Sequence, residues 1–174
     1  MKSKTESILA VMNVLSWIVF VGLVIKAGAI LISYGVSSVN PEGAKNLYMG
    51  WNLYSVRQKD FLEYTAVVSL MIAVLILEIY TAWFVIKVLS KIKLANPFTM
   101  EVANILQKIS YFILLTWVAV LLYNAYGAWL AKTVAGLQHN FISGDFIFFA
   151  GVVFVFAQIF RKGVEIQTEN ELTV

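Results

Sequence analysis

Four long runs of apolar residues dominate the chain, and shorter, more polar segments separate them. The runs cover about residues 8–34, 61–89, 103–131 and 141–160. A helix needs roughly 20 mostly apolar residues to cross about 30 Å of hydrocarbon, and each run has that length. Pro41 and Pro97, the only prolines, fall between the runs, so no helix breaker interrupts a span. The pattern predicts an all-α integral membrane protein with four transmembrane helices.

The segments outside these runs are too short to form a second domain, so we expect a single membrane domain over residues 1–174. Short connections make consecutive helices antiparallel neighbours, which predicts an up-down four-helix bundle. The expected segments outside the membrane are an outer loop at 35–60, a cytoplasmic loop at 90–102 and a cytoplasmic tail at 161–174.

The composition argues against a soluble enzyme. Of the 174 residues, 60% are hydrophobic and 13% are charged, and the mean hydropathy is +0.81. Soluble domains average about 45–50% apolar and about 25% charged residues. The chain has no cysteine and one histidine, His139, which excludes a disulfide, a thiol nucleophile and a multi-histidine metal site. We therefore expect no enzymatic activity, no cofactor and no metal.

Lysine and arginine near the ends of the spans predict the orientation. Eight basic residues flank the spans on one side and four on the other. The first set is Lys2, Lys4, Lys87, Lys91, Lys93, Lys108, Arg161 and Lys162, and the second is Lys45, Arg57, Lys59 and Lys132. The excess places the N-terminus, the C-terminus and the middle loop in the cytoplasm. Because orientation accounts for basic residues in membrane proteins, the net charge of +3 does not predict direct binding of nucleic acid.

Four ionisable residues lie in or beside the expected hydrocarbon region, where an unpaired charge is costly. They are Lys26, Glu63, Glu78 and Asp145. We expect Lys26, Glu63 and Asp145 at one depth in the outer leaflet, with Lys26 between the two carboxylates. Such a cluster is either a structural ion pair or a ligand or ion site that opens outward. Alternatively, Lys26 reaches the membrane interface on its flexible side chain.

Glu78 lies farther from both membrane surfaces, nine residues from Lys87 and fifteen from Glu63. A carboxyl group at that depth is expected to be protonated unless it has a partner, because desolvation disfavours its charged form. It is either a fastener of the bundle or a proton-responsive or substrate-binding group. Its candidate partners are Asn13, Ser16, Lys108 and Gln158.

Two other features concern packing and the outer surface. Gly127, Ala131 and Ala135 have the spacing of small residues that lets transmembrane helices approach closely, so they pack within the monomer or mediate a homodimer. The uncharged aromatic segment 47–54 lies on the membrane surface or caps the mouth of the bundle, where it can act as a lid or receptor surface.

The middle loop carries a helix start signal, Asn96-Pro97-Phe98-Thr99. Asn96 or Thr99 can cap the next helix, and Pro97 suits a first helical position. The tail is acidic through Glu165, Glu169 and Glu171 and can contact the basic middle loop or a basic cytoplasmic partner. If the helix continues through Gly163, Arg161 and Glu165 can pair at i,i+4.

These two segments resemble a domain-of-unknown-function family of small, four-span bacterial membrane proteins. The likeness rests on Asn96-Pro97-Phe98-Thr99 and on the tail from Arg161 to Val174. Members end in Gly-x-Glu-Leu-Gln-x-Glu-x-Asp-Leu-Thr-Val, and here Ile166 replaces the leucine and Glu171 the aspartate. The candidate motif residues are Asn96, Pro97, Phe98, Thr99, Gly163, Glu165, Gln167, Glu169, Leu172 and Thr173.

The resemblance implies a genetic setting rather than a reaction, because members are often encoded beside a small helix-turn-helix regulator of the Cro/repressor type. It therefore implies a bacterial inner-membrane protein that is a regulatory or sensory partner of a cytoplasmic transcription regulator. Two alternatives stay open. One is a small transporter or channel that uses Lys26, Glu63, Glu78 and Asp145, and the other is a toxin or bacteriocin immunity protein that binds through the outer loop.

Overall fold

The structure of the protein is a computed structural model that describes residues 4–92, 97–137, 141–144 and 146–172, the side chains of 170–172 excepted. The helices are α1 (Lys4–Val39), α2 (Tyr54–Lys59), α3 (Phe61–Lys91), α4 (Met100–Thr133) and α5 (Ile147–Leu172), and a 3₁₀ helix spans Pro41–Lys45. Four of them, α1, α3, α4 and α5, are long and apolar enough to cross a membrane. The predicted all-α class with four membrane-spanning helices is confirmed.

The helices differ from the apolar runs mainly at their ends. α1 continues five residues beyond the predicted end at residue 34, and α5 begins at Ile147 rather than at 141. α5 also continues through Gly163 to Leu172, so most of the predicted tail is part of this helix. Glutamate, lysine, arginine and glutamine are good helix formers, which explains how a polar segment extends an apolar helix.

Polar side chains cap the first turns of α3 and α4. The Asp60 carboxylate accepts the N–H of Leu62 at 2.6 Å, and Thr99 Oγ1 accepts the N–H of Val102 at 3.3 Å. Each bond satisfies a backbone donor that has no partner within its own helix. Thr99 is therefore the cap of α4. Because this helix begins at Met100, the expectation that Pro97 is its first residue is wrong.

The C-terminal end of α1 is closed by an arginine from α2. Arg57 Nε donates to the carbonyl of Ser37 at 3.0 Å, and its Nη2 donates to the carbonyl of Ser38 at 3.2 Å. The last carbonyls of a helix lack partners within the helix and carry partial negative charge, so a guanidinium stabilises them on both counts. This cap allows α1 to continue to Val39.

The chain divides into two compact units. The first unit comprises the described residues within 1–21, 79–115 and 145–174, and the second comprises those within 22–78 and 116–144. In the first unit, Val88 of α3 and Ile105 and Ile109 of α4 form a buried cluster. Phe84 and Val153 pack against that cluster, so α3, α4 and α5 share one apolar core in this unit.

In the second unit, the segment between α1 and α3 folds into a compact layer of its own. Ala44, Leu47 and Val56 are fully or almost fully buried, and the Leu53 N–H donates to the Ala44 carbonyl at 2.9 Å. The chain turns at Gly50, whose φ of +89° lies in the region that favours glycine. The segment is thus a packed layer rather than a loose loop.

An exposed ion pair stabilises the 3₁₀ helix of this layer. Lys45 Nζ lies 2.5 Å from Glu42 Oε2 and 4.8 Å from the centroid of the Tyr54 ring. The hydrogen bond from Lys45 lowers the pKa of the Glu42 carboxyl, and the same bond raises the pKa of Lys45. The stabilisation that Glu42 provides is therefore present above its ordinary pKa and is lost as the pH falls through the lowered value.

Candidate functional site

The first unit brings the two motif segments into contact. Gly163 of α5 lies against the ring of Phe98, and a Cβ built on Gly163 would be 2.7 Å from Phe98 Cδ1 and 2.8 Å from its Cγ. These distances are too short for nonbonded carbon atoms, so only glycine admits the ring in this position. The Phe98 ring also lies 5.2 Å, between centroids, from Phe160, one turn earlier on the same face of α5. Phe98 therefore docks onto α5 between Phe160 and Gly163.

Arg161, which precedes Gly163 on α5, joins this helix to α4. Its Nη2 donates to Gln107 Oε1 at 2.6 Å and lies 3.3 Å from Asn104 Oδ1. Gln107 in turn donates to the Tyr111 hydroxyl at 2.8 Å. Arg161 Nε is buried and has no hydrogen-bond partner in the described part of the chain. The guanidinium is thus held by neutral amide groups of α4 rather than by a carboxylate.

The charged side chains of the motif segments pair differently from the expectation. Lys162, not Arg161, pairs with Glu165, at 2.8 Å. Arg161 is directed to α4, whereas Lys162 lies on the exposed side of α5 with 65% of its side chain accessible. A second pair joins Lys91 at the end of α3 to Glu101 in the first turn of α4, at 3.0 Å. Both pairs are exposed, and such pairs contribute about 0–1 kcal/mol.

The end of α5 presents acidic and apolar side chains together. Glu165, Ile166 and Glu169 are exposed, and Ile166 keeps 49% of its surface accessible. Gln167 is partly buried. Of the other motif residues, Asn96 and Thr173 lie outside the described residues, and Leu172 is described only by its helical backbone.

The second unit contains a cavity of about 70 Å³ that Lys26 of α1 and Glu78 of α3 both line. Trp51, from the packed layer between α1 and α3, also lines the cavity. The centroid of its ring lies 5.4 Å from Lys26 Nζ. Met71 and Leu75 of α3, both buried, form part of the apolar wall. No ion pair within 4.0 Å joins Lys26 to Glu78. The cavity therefore brings together two of the four predicted intramembrane residues.

Glu63 has a different partner. Its Oε2 lies 3.2 Å from Lys59 Nζ, and Lys59 Nζ also lies 5.9 Å from the centroid of the Trp129 ring. Glu63 is the third residue of α3, whereas Lys26 precedes the end of α1 by 13 residues, or about 20 Å of helix. The extension of α1 to Val39 explains why Lys26 lies deeper than the sequence indicated. Asp145, the third member of that predicted cluster, lies outside the described residues.

Two of the partners expected for Glu78 have contacts within the first unit. Ser16 Oγ donates to the carbonyl of Met12 at 2.8 Å, which is a common bond for serine inside a helix. Lys108 Nζ lies 5.9 Å from the centroid of the Phe84 ring, within reach of a cation–π interaction.

The three small residues proposed for a dimer do not form one helix face. Gly127 is buried in the second unit, whereas Ala131 is exposed. Ala135 lies in the turn after α4 has ended at Thr133, because the chain leaves the helix toward Gly136, whose φ is +75°. A homodimer through this stripe stays a prediction, and only Gly127 and Ala131 share the helical spacing that it needs.

Several residues with structural roles were not singled out from the sequence. Arg57, which entered only the count of basic residues, caps α1. Asn124 of α4 exchanges two hydrogen bonds with the backbone of Ile142, at 2.8 and 3.0 Å. Asn104, Gln107 and Tyr111 recur at helical spacing on α4, and this spacing of polar groups was a usable signal for the Arg161 contact.

Comparison with known proteins gives one family. The family model described as a protein of unknown function, DUF2975, matches residues 40–174, which is more than half of the chain and includes both motif segments. No curated protein and no solved structure matches the chain. With four helices able to span a membrane, this multi-pass membrane protein belongs to the DUF2975 family.

Proposed function

We propose that the protein is a non-enzymatic regulatory or sensory protein of the bacterial inner membrane that binds a cytoplasmic helix-turn-helix transcription regulator. The contact between Phe98 and Gly163 carries the proposal. It joins the two segments on which the family resemblance rests into one surface, which we call the motif surface. This surface comprises Phe98 and the part of α5 from Gly163 to Glu169.

The chemistry of the motif surface suits a basic protein partner. Glu165 and Glu169 are exposed on α5, and Ile166 supplies an accessible apolar group between them. Phe98 is 38% exposed beside Gly163, so a second apolar group is available at the same surface. Proteins that bind nucleic acid carry basic surfaces, and an acidic helix can compete with the phosphate backbone for such a surface.

The continuity of α5 supports a mechanism of signalling. The helix is unbroken from Ile147 to Leu172, so a shift or rotation of its apolar part also moves the acidic part. Arg161 and the Phe98–Gly163 contact hold α5 to the α4 side of the unit. A signal that weakens these contacts would reposition the acidic groups and release or capture the regulator.

Removal of the tail charges tests the proposal. Combined replacement of Glu165, Glu169 and Glu171 with glutamine is expected to reduce co-purification of the proposed helix-turn-helix regulator at least tenfold from solubilised membranes. Deletion of 163–174 should abolish it. Glutamine preserves helix propensity, so the loss reports charge rather than folding.

The matched control is Glu42→Gln, which removes one carboxylate of the second unit. It should leave the amount of captured regulator unchanged. Equal capture by the wild type, the charge variant and the deletion would refute the proposal. Capture that falls as salt concentration rises is the expected accompanying result, because exposed charges are screened.

Of the two alternatives, a small transporter has one observation in its favour, the cavity lined by Lys26 and Glu78. Transport would require this space to open alternately to both sides of the membrane. We prefer the regulatory function because the two segments that carry the family resemblance meet at the motif surface. No residue of either segment lines the cavity.

A further inference from the structure

We propose that the cavity of the second unit binds a small zwitterion, an α-amino acid of the size of glycine or alanine. The proposal goes beyond the regulatory function and does not depend on it, because the cavity and the motif surface share no residues. Lys26 would hold the carboxylate of the ligand, Glu78 would hold its ammonium group, and Trp51 would cover it.

Opposite charges line the cavity without forming a pair. Lys26 and Glu78, both of which the structure describes, line one cavity, yet no ion pair within 4.0 Å joins them. Opposite charges attract more strongly in a poorly solvated region than in water, and a direct pair would reduce the cost of placing each one there. A ligand that carries one positive and one negative group can satisfy both side chains across the gap at once.

The size of the cavity suits a small amino acid. About 10–15 Å³ of cavity volume suffices for one water molecule, so a cavity of about 70 Å³ has room for about five waters. Bonded atoms lie closer together than waters, so the non-hydrogen atoms of glycine or alanine fit within this space. The buried side chains of Met71 and Leu75 leave an apolar wall that suits a hydrogen or a methyl group at the α-carbon. A large aromatic side chain such as that of phenylalanine would exceed the space.

Several residues that line the cavity are held in place by hydrogen bonds or burial before a ligand binds. The Trp51 carbonyl accepts the Leu47 N–H at 2.8 Å, and Leu47 is almost fully buried. The Asn124 amide holds the backbone of Ile142, another wall residue, by two hydrogen bonds. A preformed site spends less binding energy on ordering its own side chains. Lys26 lies within cation–π distance of Trp51, so its ammonium group also has a defined position.

The arrangement predicts selectivity for zwitterions over single ions. Acetate would satisfy Lys26 but leave Glu78 without a counter-charge, and methylammonium would do the reverse. A buried polar group that loses its partner opposes binding, so sites of this kind discriminate strongly against ligands that lack one group.

Calorimetric titration of the intact protein in lipid nanodiscs tests the proposal. Glycine and alanine should bind saturably, and acetate, methylammonium and phenylalanine should bind at least tenfold more weakly. Absence of saturable binding of both small amino acids at millimolar concentration would overturn the proposal. Equal binding of acetate or methylammonium would overturn it as well. This comparison of ligands needs no substitution and does not involve the regulator, so its failure leaves the proposed function untouched.

Substitutions then locate the site. Glu78→Gln and Lys26→Met should each weaken glycine binding at least tenfold. Glu63→Gln is the matched control, since it removes a carboxylate of the same unit that pairs with Lys59, and it should bind glycine like the wild type. Unchanged binding in both Glu78→Gln and Lys26→Met would show that the ligand binds elsewhere and would overturn the assignment.

Discussion

Replacement of Gly163 with alanine is expected to lower the free energy of unfolding by about 1–3 kcal/mol, the usual cost of an added methyl group that forces its neighbours to move. The added Cβ would be 2.7 Å from Phe98 Cδ1 and 2.8 Å from Cγ, so the whole ring must move. Alanine favours a helix over glycine by up to about 1 kcal/mol, which offsets part of the cost. Equilibrium unfolding in detergent micelles measures the difference.

Gly151→Ala is the matched control for this prediction. Gly151 is an exposed glycine of the same helix, and a Cβ at this position meets no atom within 4 Å. It should therefore stabilise the protein by about 0.5–1 kcal/mol through helix propensity alone. If both variants are stabilised alike, the contact between Gly163 and Phe98 does not exist as described.

A second substitution separates the clash from other effects of alanine. Phe98→Leu in the Gly163→Ala background should recover part of the lost stability, because the smaller side chain leaves room for the new methyl group. The two substitutions should then be non-additive by about 0.5–3 kcal/mol, as is usual for residues in contact. Strict additivity would contradict the contact.

Arg161→Met is expected to have an effect at least as large, lowering the free energy of unfolding by about 1.5–3 kcal/mol. Its guanidinium is the donor to Gln107 Oε1 at 2.6 Å and lies 3.3 Å from Asn104 Oδ1. Hydrogen bonds from a charged donor contribute about 1.5–3 kcal/mol, and the amides of α4 would lose their partner. Methionine preserves much of the apolar stem of arginine, so the measured loss of unfolding free energy reports mainly the polar contacts.

Lys162→Met is the control for Arg161→Met because it removes the adjacent positive charge from the same helix. Lys162 pairs with Glu165 at 2.8 Å, but 65% of its side chain is accessible. Its loss should change the unfolding free energy by about 1 kcal/mol or less. An equal effect of the two substitutions would mean that net charge near the end of α5, rather than the contact with α4, determines stability.

The four spans could be predicted from the sequence because a helix that crosses a membrane needs a long apolar run, and this is a local property. The ends of the helices could not be predicted in this way, because they depend on contacts between residues that are distant in sequence. α1 reaches Val39 because Arg57, twenty residues away in sequence, caps its last carbonyls. Similarly, Asn96 and Thr99 are both suitable caps by residue type, and the structure shows the Thr99 hydroxyl in that role.

The candidate sites could be predicted only in part, for the same reason. Lys26 and Glu78 were recognised singly as costly intramembrane charges, but their common cavity depends on the helix register of α1 against α3. Phe98 and Gly163 were recognised as motif residues, whereas their contact depends on how the segment before α4 meets α5. Helical spacing relates residues of one helix and carries no information about which residue of another helix they meet.

The proposal that the two motif segments form one surface that binds a regulator is tested by the Gly163→Ala and Gly151→Ala variants. The quantity measured is the capture of the proposed helix-turn-helix regulator, at equal amounts of membrane protein. We expect that Gly163→Ala, which displaces Phe98 from α5, captures at least tenfold less regulator, while Gly151→Ala captures as much as the wild type. Equal capture by both variants would contradict the proposal.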